Sequence, residues 1–358
     1  MNNLEKYGID SRFLAEAALY PDMIPARVVS QYKDLYRIVT ERGEGLGEVS
    51  GKFRHEASQL AEYPAVGDFV MVDREDTQGG NAVIRKVLTR KSAFGRSAVG
   101  LTNQTQVVAA NIDVAFICMS LNDNYNLSRL ERYLAAAWNS GATPVVVLTK
   151  SDLCENLPQA LAEISSVALG VDIVATSSLD EASYAPLLDH LPQGATASFI
   201  GSSGVGKSTL VNRLAARELS STSAVREQDG KGRHTTTRRE LFVLPSGGIV
   251  IDTPGMREFG VESVDLSRSF ADIDELVARC RFNDCTHVAE PGCAVLAAIA
   301  AGELEARRFE NYRKLQKEAR YDGLSSKQIE TEKLNAMFGS IGGQKKIRDF
   351  IKQKNKYR

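Results

Sequence analysis

The stretch Gly201-Ser202-Ser203-Gly204-Val205-Gly206-Lys207-Ser208-Thr209 constrains this chain more than any other. It fits G-x-x-x-x-G-K-[ST], a loop whose glycines let backbone N–H groups close around phosphate oxygens. Lys207 is expected to reach the β- and γ-phosphates and Ser208 to hold Mg²⁺. The helix opening near Lys207 would present its positive end to the same anion. Such a loop needs a buried strand before it and a helix after it. Ala195–Ile200 reads as the strand and Ser208–Arg217 as the helix. A plain glycine turn requires neither the Lys-Ser pair nor that setting. The sequence predicts a nucleotide site on an α/β sheet.

Three further strand ends agree with it. Gly247–Ile251 is an apolar strand leading into Asp252-Thr253-Pro254-Gly255, about 45 residues beyond Lys207. Asp252 is expected in the Mg²⁺ shell, and the Gly255 N–H is placed to sense a γ-phosphate, the switch arrangement of GTPases. Alone, Asp-Thr-Pro-Gly is an ordinary turn; downstream of a phosphate loop it reads as the switch. Upstream, Pro144–Leu148 delivers Thr149-Lys150-Ser151-Asp152, which is similar to the [NT]-K-x-D guanine motif. Asp152 can accept from guanine N1–H and the exocyclic amine, a pair that adenine does not offer, and a desolvated carboxylate left unpaired is costly. Lys150 would lie along base and ribose, with Thr149 standing where Asn is commoner. The strand Val171–Val174 ends in Ala175-Thr176-Ser177-Ser178, which puts Ser177 and its neighbours behind the base.

The order of these motifs is a rotation of the usual one: guanine motif, base-backing loop, phosphate loop, first switch, then Asp-Thr-Pro-Gly. With Gly232-Arg233-His234-Thr235-Thr236-Thr237 as that first switch, the chain resembles the small ribosomal subunit-dependent GTPase A family, circularly permuted GTPases of the YjeQ/RsgA type. The resemblance covers roughly residues 25–320. It implies a GTPase stimulated by the small (30S) ribosomal subunit, acting in late maturation of that subunit through rRNA contacts. In the first switch, Thr236 or Thr237 is expected to bring a hydroxyl to Mg²⁺. Met256 stands where Ras-like proteins carry a water-positioning Gln, and a methionine cannot orient water. His234 is the candidate for that role; its other reading is a residue that shapes the switch or touches RNA.

The remaining sequence predicts two flanking modules. Ala26–Tyr32, Leu35–Glu41, Gly45–Arg54, Asp68–Asp73 and Ala82–Leu88 read as five short strands, which suit a small barrel. Periodicity does not separate an oligonucleotide-binding (OB) barrel from an SH3-like one; the resemblance implies the former. Residues near Lys91–Thr105 read as a linker. Cys280-x4-Cys285-x-His287-x5-Cys293 places three thiols and an imidazole within 14 residues, a set that satisfies one structural, tetrahedral Zn²⁺ with no open position. The same spacing and Glu290-Pro291-Gly292-Cys293 match the family's pattern. Helical patterns flank it at Leu266–Arg279 and Val295–Arg320, with a break at Gly302.

The expected organisation is a segment 1–24, an OB-fold barrel 25–95, an α/β permuted P-loop GTPase domain 96–260, and a mostly helical zinc-binding domain 261–358 ending in a basic tail. The last 15 residues carry seven Lys/Arg against Asp349 alone, although the chain's net charge is only −1. No run suits a membrane span and no secretion signal is visible, so a cytoplasmic location is expected; a monomer is the expected state. Two other classes share single features. A P-loop kinase would have no need of the guanine motif, and an RNA-binding protein with a vestigial or regulatory nucleotide site would not need intact Lys207, Ser208 and Asp252.

Overall fold

The computed structural model describes residues 3–77, 79–97, 105–122, 124–217, 239–252 and 265–320, with Gln328 and Thr331 besides. Two short helices, α1 (Asn3–Lys6) and α2 (Ser11–Ala17), come first. The Asp10 carboxylate accepts from Phe13 N at the start of α2, and Leu4 and Phe13 are buried. Then follow β1 (Ile24–Tyr32), β2 (Leu35–Thr40), β3 (Gly43–Val49), α3 (Gly51–Glu56), β4 (Phe69–Val72) and β5 (Ala82–Val87). β1 pairs antiparallel with both β2 and β4, β2 with β3, and β4 with β5, while β3 and β5 run parallel. The circuit 1-2-3-5-4-1 is therefore closed, with a helix between its third and fourth strands. That is the oligonucleotide-binding barrel. Alternating residues such as Ala26, Val28, Tyr36, Ile38, Val70, Val72, Ala82 and Ile84 fill its interior. The third strand is shorter than its sequence suggests: Ser50 accepts from Phe53 N and starts a helical turn there.

The stretch expected as a linker is partly a strand. β6 (Ala93–Ser97) pairs antiparallel with β7 (Thr105–Ala110), and the buried Phe94 explains why it does not stay loose. The α/β unit then runs through β8 (Val114–Ser120), α4 (Leu127–Ser140), β9 (Thr143–Thr149), α5 (Leu157–Val167), β10 (Asp172–Ala175), α6 (Ala185–Asp189), β11 (Thr196–Ile200), α7 (Lys207–Ala215), β12 (Glu240–Val243) and β13 (Ile249–Asp252). Its sheet has the order β10-β9-β8-β11-β13-β12, parallel except for β12. All seven residues of β8 are buried, as befits a strand covered on both faces. Ile117, Val146 and Ile200 pack with Leu130 and Leu134 of α4 on one face. Phe116, Val145 and Phe199 pack with Leu210 and Leu214 of α7 on the other.

Three helices close the described chain: α8 (Ala271–Ala278), α9 (Ala294–Ala301) and α10 (Ala306–Arg320). Gly302, at φ +76°, ends α9 where the break was expected. Phe270, Ile273, Val295, Phe309, Tyr312 and Leu315 form a separate small core, which also takes in Ala135 of α4. Among the described residues no helix is long and apolar enough to cross a membrane.

The barrel is fused to the α/β sheet rather than strung beside it. Ser30 of β1 lies opposite Glu240 of β12, and Val29, Val39, Phe69 and Met71 share one core with Ala115, Ile200 and Ile251. At this seam Arg27 is wholly buried. Its guanidinium donates to Gly67 O (3.3 Å), to Tyr7 O and to Thr196 Oγ1 (2.9 Å), and lies 4.8 Å from the Phe69 ring centre. Burial pulls its pKa down to about 10, so it still carries its charge at neutral pH. One side chain thus ties the N-terminal segment, the barrel and β11. Arg27→Met should take this donor from Tyr7 O and Thr196 Oγ1, at about 1–3 kcal/mol each, whereas Gly67 O keeps the Asn111 side-chain amide at 3.1 Å. A loss of about 2–5 kcal/mol is expected in urea unfolding, with a smaller loss for Arg27→Lys. An unchanged midpoint in both variants would contradict this role for Arg27.

Candidate nucleotide site and metal centre

β11 ends at Ile200, and the phosphate loop leaves it under tight restraint. A Cβ on Gly201 would lie 2.4 Å from Cys118 O, so only glycine lets the chain pass β8 there. Val205 is buried and anchors the loop. Gly206, at φ +96°, makes the left-handed step that starts α7 at Lys207. Ser203 and Gly204 are exposed, whereas Ser202, Lys207, Ser208 and Thr209 are half-buried along the loop and first helical turn. Lys207 Nζ donates to Gly201 O and Ser202 O, both at 2.6 Å. Loop and lysine therefore form one compact unit at a helix N-terminus, suited to an anion.

The guanine-motif segment docks directly on that unit. Thr149 Oγ1 donates to Val205 O (2.5 Å) and Lys150 Nζ to Gly204 O (3.0 Å). Thr149 thus supplies by its hydroxyl a link to the phosphate loop. Lys150 sits at φ +57° and turns the chain into a short 3-10 turn carrying the exposed Asp152. Ser177 Oγ donates to Asp152 Oδ1 at 2.6 Å, and Ser151 N to Thr176 O at 3.1 Å. Loops from the C-terminal ends of β9, β10 and β11 therefore meet at one edge of the sheet, where open α/β sheets bind ligands. Asp252 ends β13, the strand beside β11, and is half-buried.

Gly255, His234, Thr236, Thr237, Met256 and the tail from Lys345 lie outside the described residues. The sequence reading missed three groups at this site. Arg129 in the first turn of α4 donates to Ser202 Oγ (2.7 Å) and Asn124 Oδ1 (3.0 Å). Asn124 Nδ2 donates to Ser203 O (3.4 Å). Ser183 Oγ accepts from Ser177 N (3.0 Å) and so supports the base-backing loop. None belongs to a motif; the only local signal was Asn126, which caps α4 by accepting from Arg129 N.

Cys280, Cys285, His287 and Cys293 form a single cluster, their ligand atoms all within 4.8 Å of one another, and could hold a metal ion. His287 Nδ1 lies 3.6 Å from Cys280 Sγ and 3.4 Å from Cys293 Sγ, and those two sulfurs are 3.9 Å apart. Local hydrogen bonds hold the knuckle in shape. The Glu290 carboxylate accepts from the hydroxyl and N–H of Thr286 and from Val288 N and Ala289 N. These bonds, the Thr286 hydroxyl foremost, hold its carboxyl well below the usual carboxylate range. Cys293 Sγ accepts from Leu296 N and so caps α9. Cys118, in contrast, is buried in β8, where burial pushes its thiol up to about 12; it is a core residue.

Comparison with known proteins agrees with this geometry. The model of the RsgA GTPase family matches residues 87–262. Small ribosomal subunit biogenesis GTPase RsgA 2 of Lactiplantibacillus plantarum is 44% identical over 346 residues, covering 97% of each chain. The chain belongs to the RsgA GTPase family. A Listeria innocua relative, Small ribosomal subunit biogenesis GTPase RsgA 1, is also 44% identical, over 89% of this chain and 90% of its own. Among solved structures, YjeQ from Thermotoga maritima superposes with a TM-score of 0.60 at 29% identity, over 82% of this chain and 97% of that one. YloQ, described as a circularly permuted GTPase, superposes with a TM-score of 0.57 at 25% identity, over 83% and 95%. The rotated motif order is therefore the RsgA arrangement, and the kinase and vestigial-site alternatives are not favoured.

Two substitutions test the sites separately. Asp152→Asn should weaken GTP binding and improve binding of xanthosine triphosphate, because the amide suits a carbonyl at C2. An unchanged GTP/XTP preference would remove Asp152 from the base site. Cys285→Ser should lose the metal and loosen the chain around α8–α10, since metal-binding free energy is folding free energy in such a module. Elemental analysis of protein purified without chelators reads the first effect, and limited proteolysis the second.

Proposed function

We propose that this RsgA-family GTPase acts as a nucleotide-dependent switch on the small ribosomal subunit, in late maturation, hydrolysing GTP to GDP and phosphate faster when bound there. The supporting observation is the docking of the guanine-motif segment on the phosphate loop through Thr149 and Lys150. It makes base and phosphate recognition one unit inside a chain that also carries an oligonucleotide-binding barrel. In this reading Thr149, Lys150, Asp152 and Ser177 surround the guanine. Gly201 to Thr209 cradle the phosphates, with Lys207 on the β- and γ-phosphates and Gly255 N–H facing the γ-phosphate. Ser208, Asp252 and Thr236 or Thr237 would hold Mg²⁺. The chemistry Mg²⁺ supplies is neutralisation of charge on the phosphate oxygens. His234 is the residue we assign to orienting the attacking water, because Met256 cannot.

The four-residue cluster is proposed as a structural Zn²⁺ site. Zn–S and Zn–N bonds of about 2.3 and 2.0 Å in a tetrahedron put sulfurs about 3.8 Å apart and sulfur about 3.5 Å from nitrogen. The separations among Cys280, His287 and Cys293, 3.4–3.9 Å, fit that figure, and Cys285 Sγ lies within 4.8 Å of all three. The barrel and the Cys/His domain would contact rRNA, with the tail Lys345–Arg358 adding phosphate contacts. The boundaries 1–24, 25–95, 96–260 and 261–358 remain our division of the chain. A monomer working in the cytoplasm completes the proposal.

The experiment is GTP turnover with and without purified small subunits. Stimulation is expected for the wild type, and Lys207→Ala should abolish turnover in both conditions. His234→Ala should lower stimulated turnover by roughly a hundred- to ten-thousand-fold, the range for one acid/base group, with GTP affinity nearly unchanged. A wild-type rate indifferent to the subunit would sink the ribosomal reading. A fully active His234→Ala would sink only the role given to that histidine.

A further inference from the structure

Helix α4 touches both the phosphate loop and the C-terminal helical domain, through neighbouring residues. At its first turn Arg129 holds Ser202 Oγ at 2.7 Å and Asn124 Oδ1 at 3.0 Å, and Asn124 in turn reaches Ser203 O. The crevice between helix and loop has a volume of only about 10 Å³, roughly one water. This contact is close-packed, and the loop cannot shift without breaking it.

Residues 128, 131 and 132 lie on one face of α4, and α10 packs against that face. Glu131 is completely buried. Its carboxylate accepts from Arg308 (3.0 Å), from both terminal nitrogens of Arg307 (3.3 and 3.4 Å) and from Asn311 Nδ2. Ser128 meets Arg307 through its hydroxyl (3.1 Å) and Asn311 through its carbonyl (3.2 Å). Arg132 pairs with Glu318 at 2.7 and 3.0 Å. Arg308 is also bidentate to Asp272 of α8, at 3.0 and 2.7 Å. Burial lowers its pKa, but Asp272 and Glu131 outweigh that and hold it above its ordinary value. Near the far end of α4, Asn139 pairs with the backbone of Asp265, and Arg268 lies 5.5 Å from the Trp138 ring centre.

A helix is stiff on this scale, and a buried carboxylate shared by two guanidiniums does not slide gradually. We propose that Arg129 is a positioning residue for the phosphate loop and that α4 couples it to the Cys/His domain. Nucleotide occupancy at the loop and the packing of α10 on α4 are then thermodynamically linked. The link rests on reading residues 201–209 as the GTP-phosphate site. Linkage is reciprocal: what the nucleotide does to α10, a change in α10 does to nucleotide affinity by the same factor.

Hydrogen–deuterium exchange on the full chain tests this, with saturating β,γ-imido GTP and Mg²⁺ as the probe. In the wild type the analogue should slow exchange by roughly fivefold or more, both in residues 199–209 and in residues 306–320. With the analogue raised until it saturates the variant, Arg129→Ala should lose the protection of 306–320, and Arg129→Lys, which retains a donor, should restore part of it. Arg308→Lys, remote from the nucleotide, should raise the dissociation constant of the analogue by roughly fivefold. This second arm carries the test should Arg129→Ala not retain the analogue. The coupling is overturned by equal protection of 306–320 in wild type and Arg129→Ala, by none in a wild type that binds the analogue, or by an unchanged dissociation constant in Arg308→Lys. A wild type that does not bind the analogue at all overturns the phosphate-loop reading itself, and the coupling with it.

Discussion

The position of the phosphate loop depends on two parallel ladders that hold β11 between its neighbours. Ala197–Ile200 pair with Val114–Ile117 of β8, and Thr196–Ser198 with Ile249–Ile251 of β13. Neither neighbour is joined to β11 by a short connection, so register is set by strand pairing and side-chain burial alone. A slip of one residue would exchange the two faces of the strand. It would also push Gly201 off the one place where the chain clears Cys118 O. The same ladders, with the further parallel ladders β8–β9 and β9–β10, bring Thr149, Ser177 and Asp252 to a common edge, because parallel strands place their C-terminal ends together. Site geometry is thus a consequence of sheet register.

Charged groups are buried where the modules join. Arg27 spans barrel and sheet at one seam, and Glu131 with Arg308 spans sheet and C-terminal domain at the other. Lys91 and Asp113, at 2.5 Å, add a partly exposed pair near the first seam. Buried pairs of this kind are not economical as sources of stability, since well-packed apolar groups do as well. They do penalise misplacement: a guanidinium that misses its acceptors is left desolvated and unpaired. Their arrangement here suits seams that must dock in one orientation.

The motif strands were readable because each carries its own signal. An apolar run ending in a glycine loop or in Thr-Lys-Ser-Asp can be placed from neighbouring residues, and the four metal-type ligands declare themselves by spacing. What escaped the sequence depends on distant partners. Val49 ends β3 because Ser50 caps a helical turn, a local competition that strand-like composition around Lys52 and Phe53 conceals. β6 exists because Phe94 finds a core and β7 a register. Nothing in the residues around Arg129, on a helix, or Arg27, on a barrel strand, marks either as a buried or bridging cation. Their roles come from Ser202 and Thr196, 73 and 169 residues away in the chain. No periodicity encodes that. The choice between an OB and an SH3-like barrel likewise waited for the parallel pairing of β3 with β5.

Circular permutation changes what the C-terminal domain can sense. In this order the chain leaves β13 at Asp252, passes the switch sequence, and enters the Cys/His domain directly. A covalent tether of that kind transmits a nucleotide-dependent change only to the extent that the intervening segment is ordered. Packing of α10 on α4 supplies a second connection that does not rely on it, running through Glu131 and Arg129 to the other side of the same phosphate loop. Two attachments on opposite sides of one site restrain a domain in rotation as well as translation, which a single tether does not. In the rotated motif order the Cys/His domain follows β13 in sequence, while α10 also packs on α4, the helix that reaches the phosphate loop.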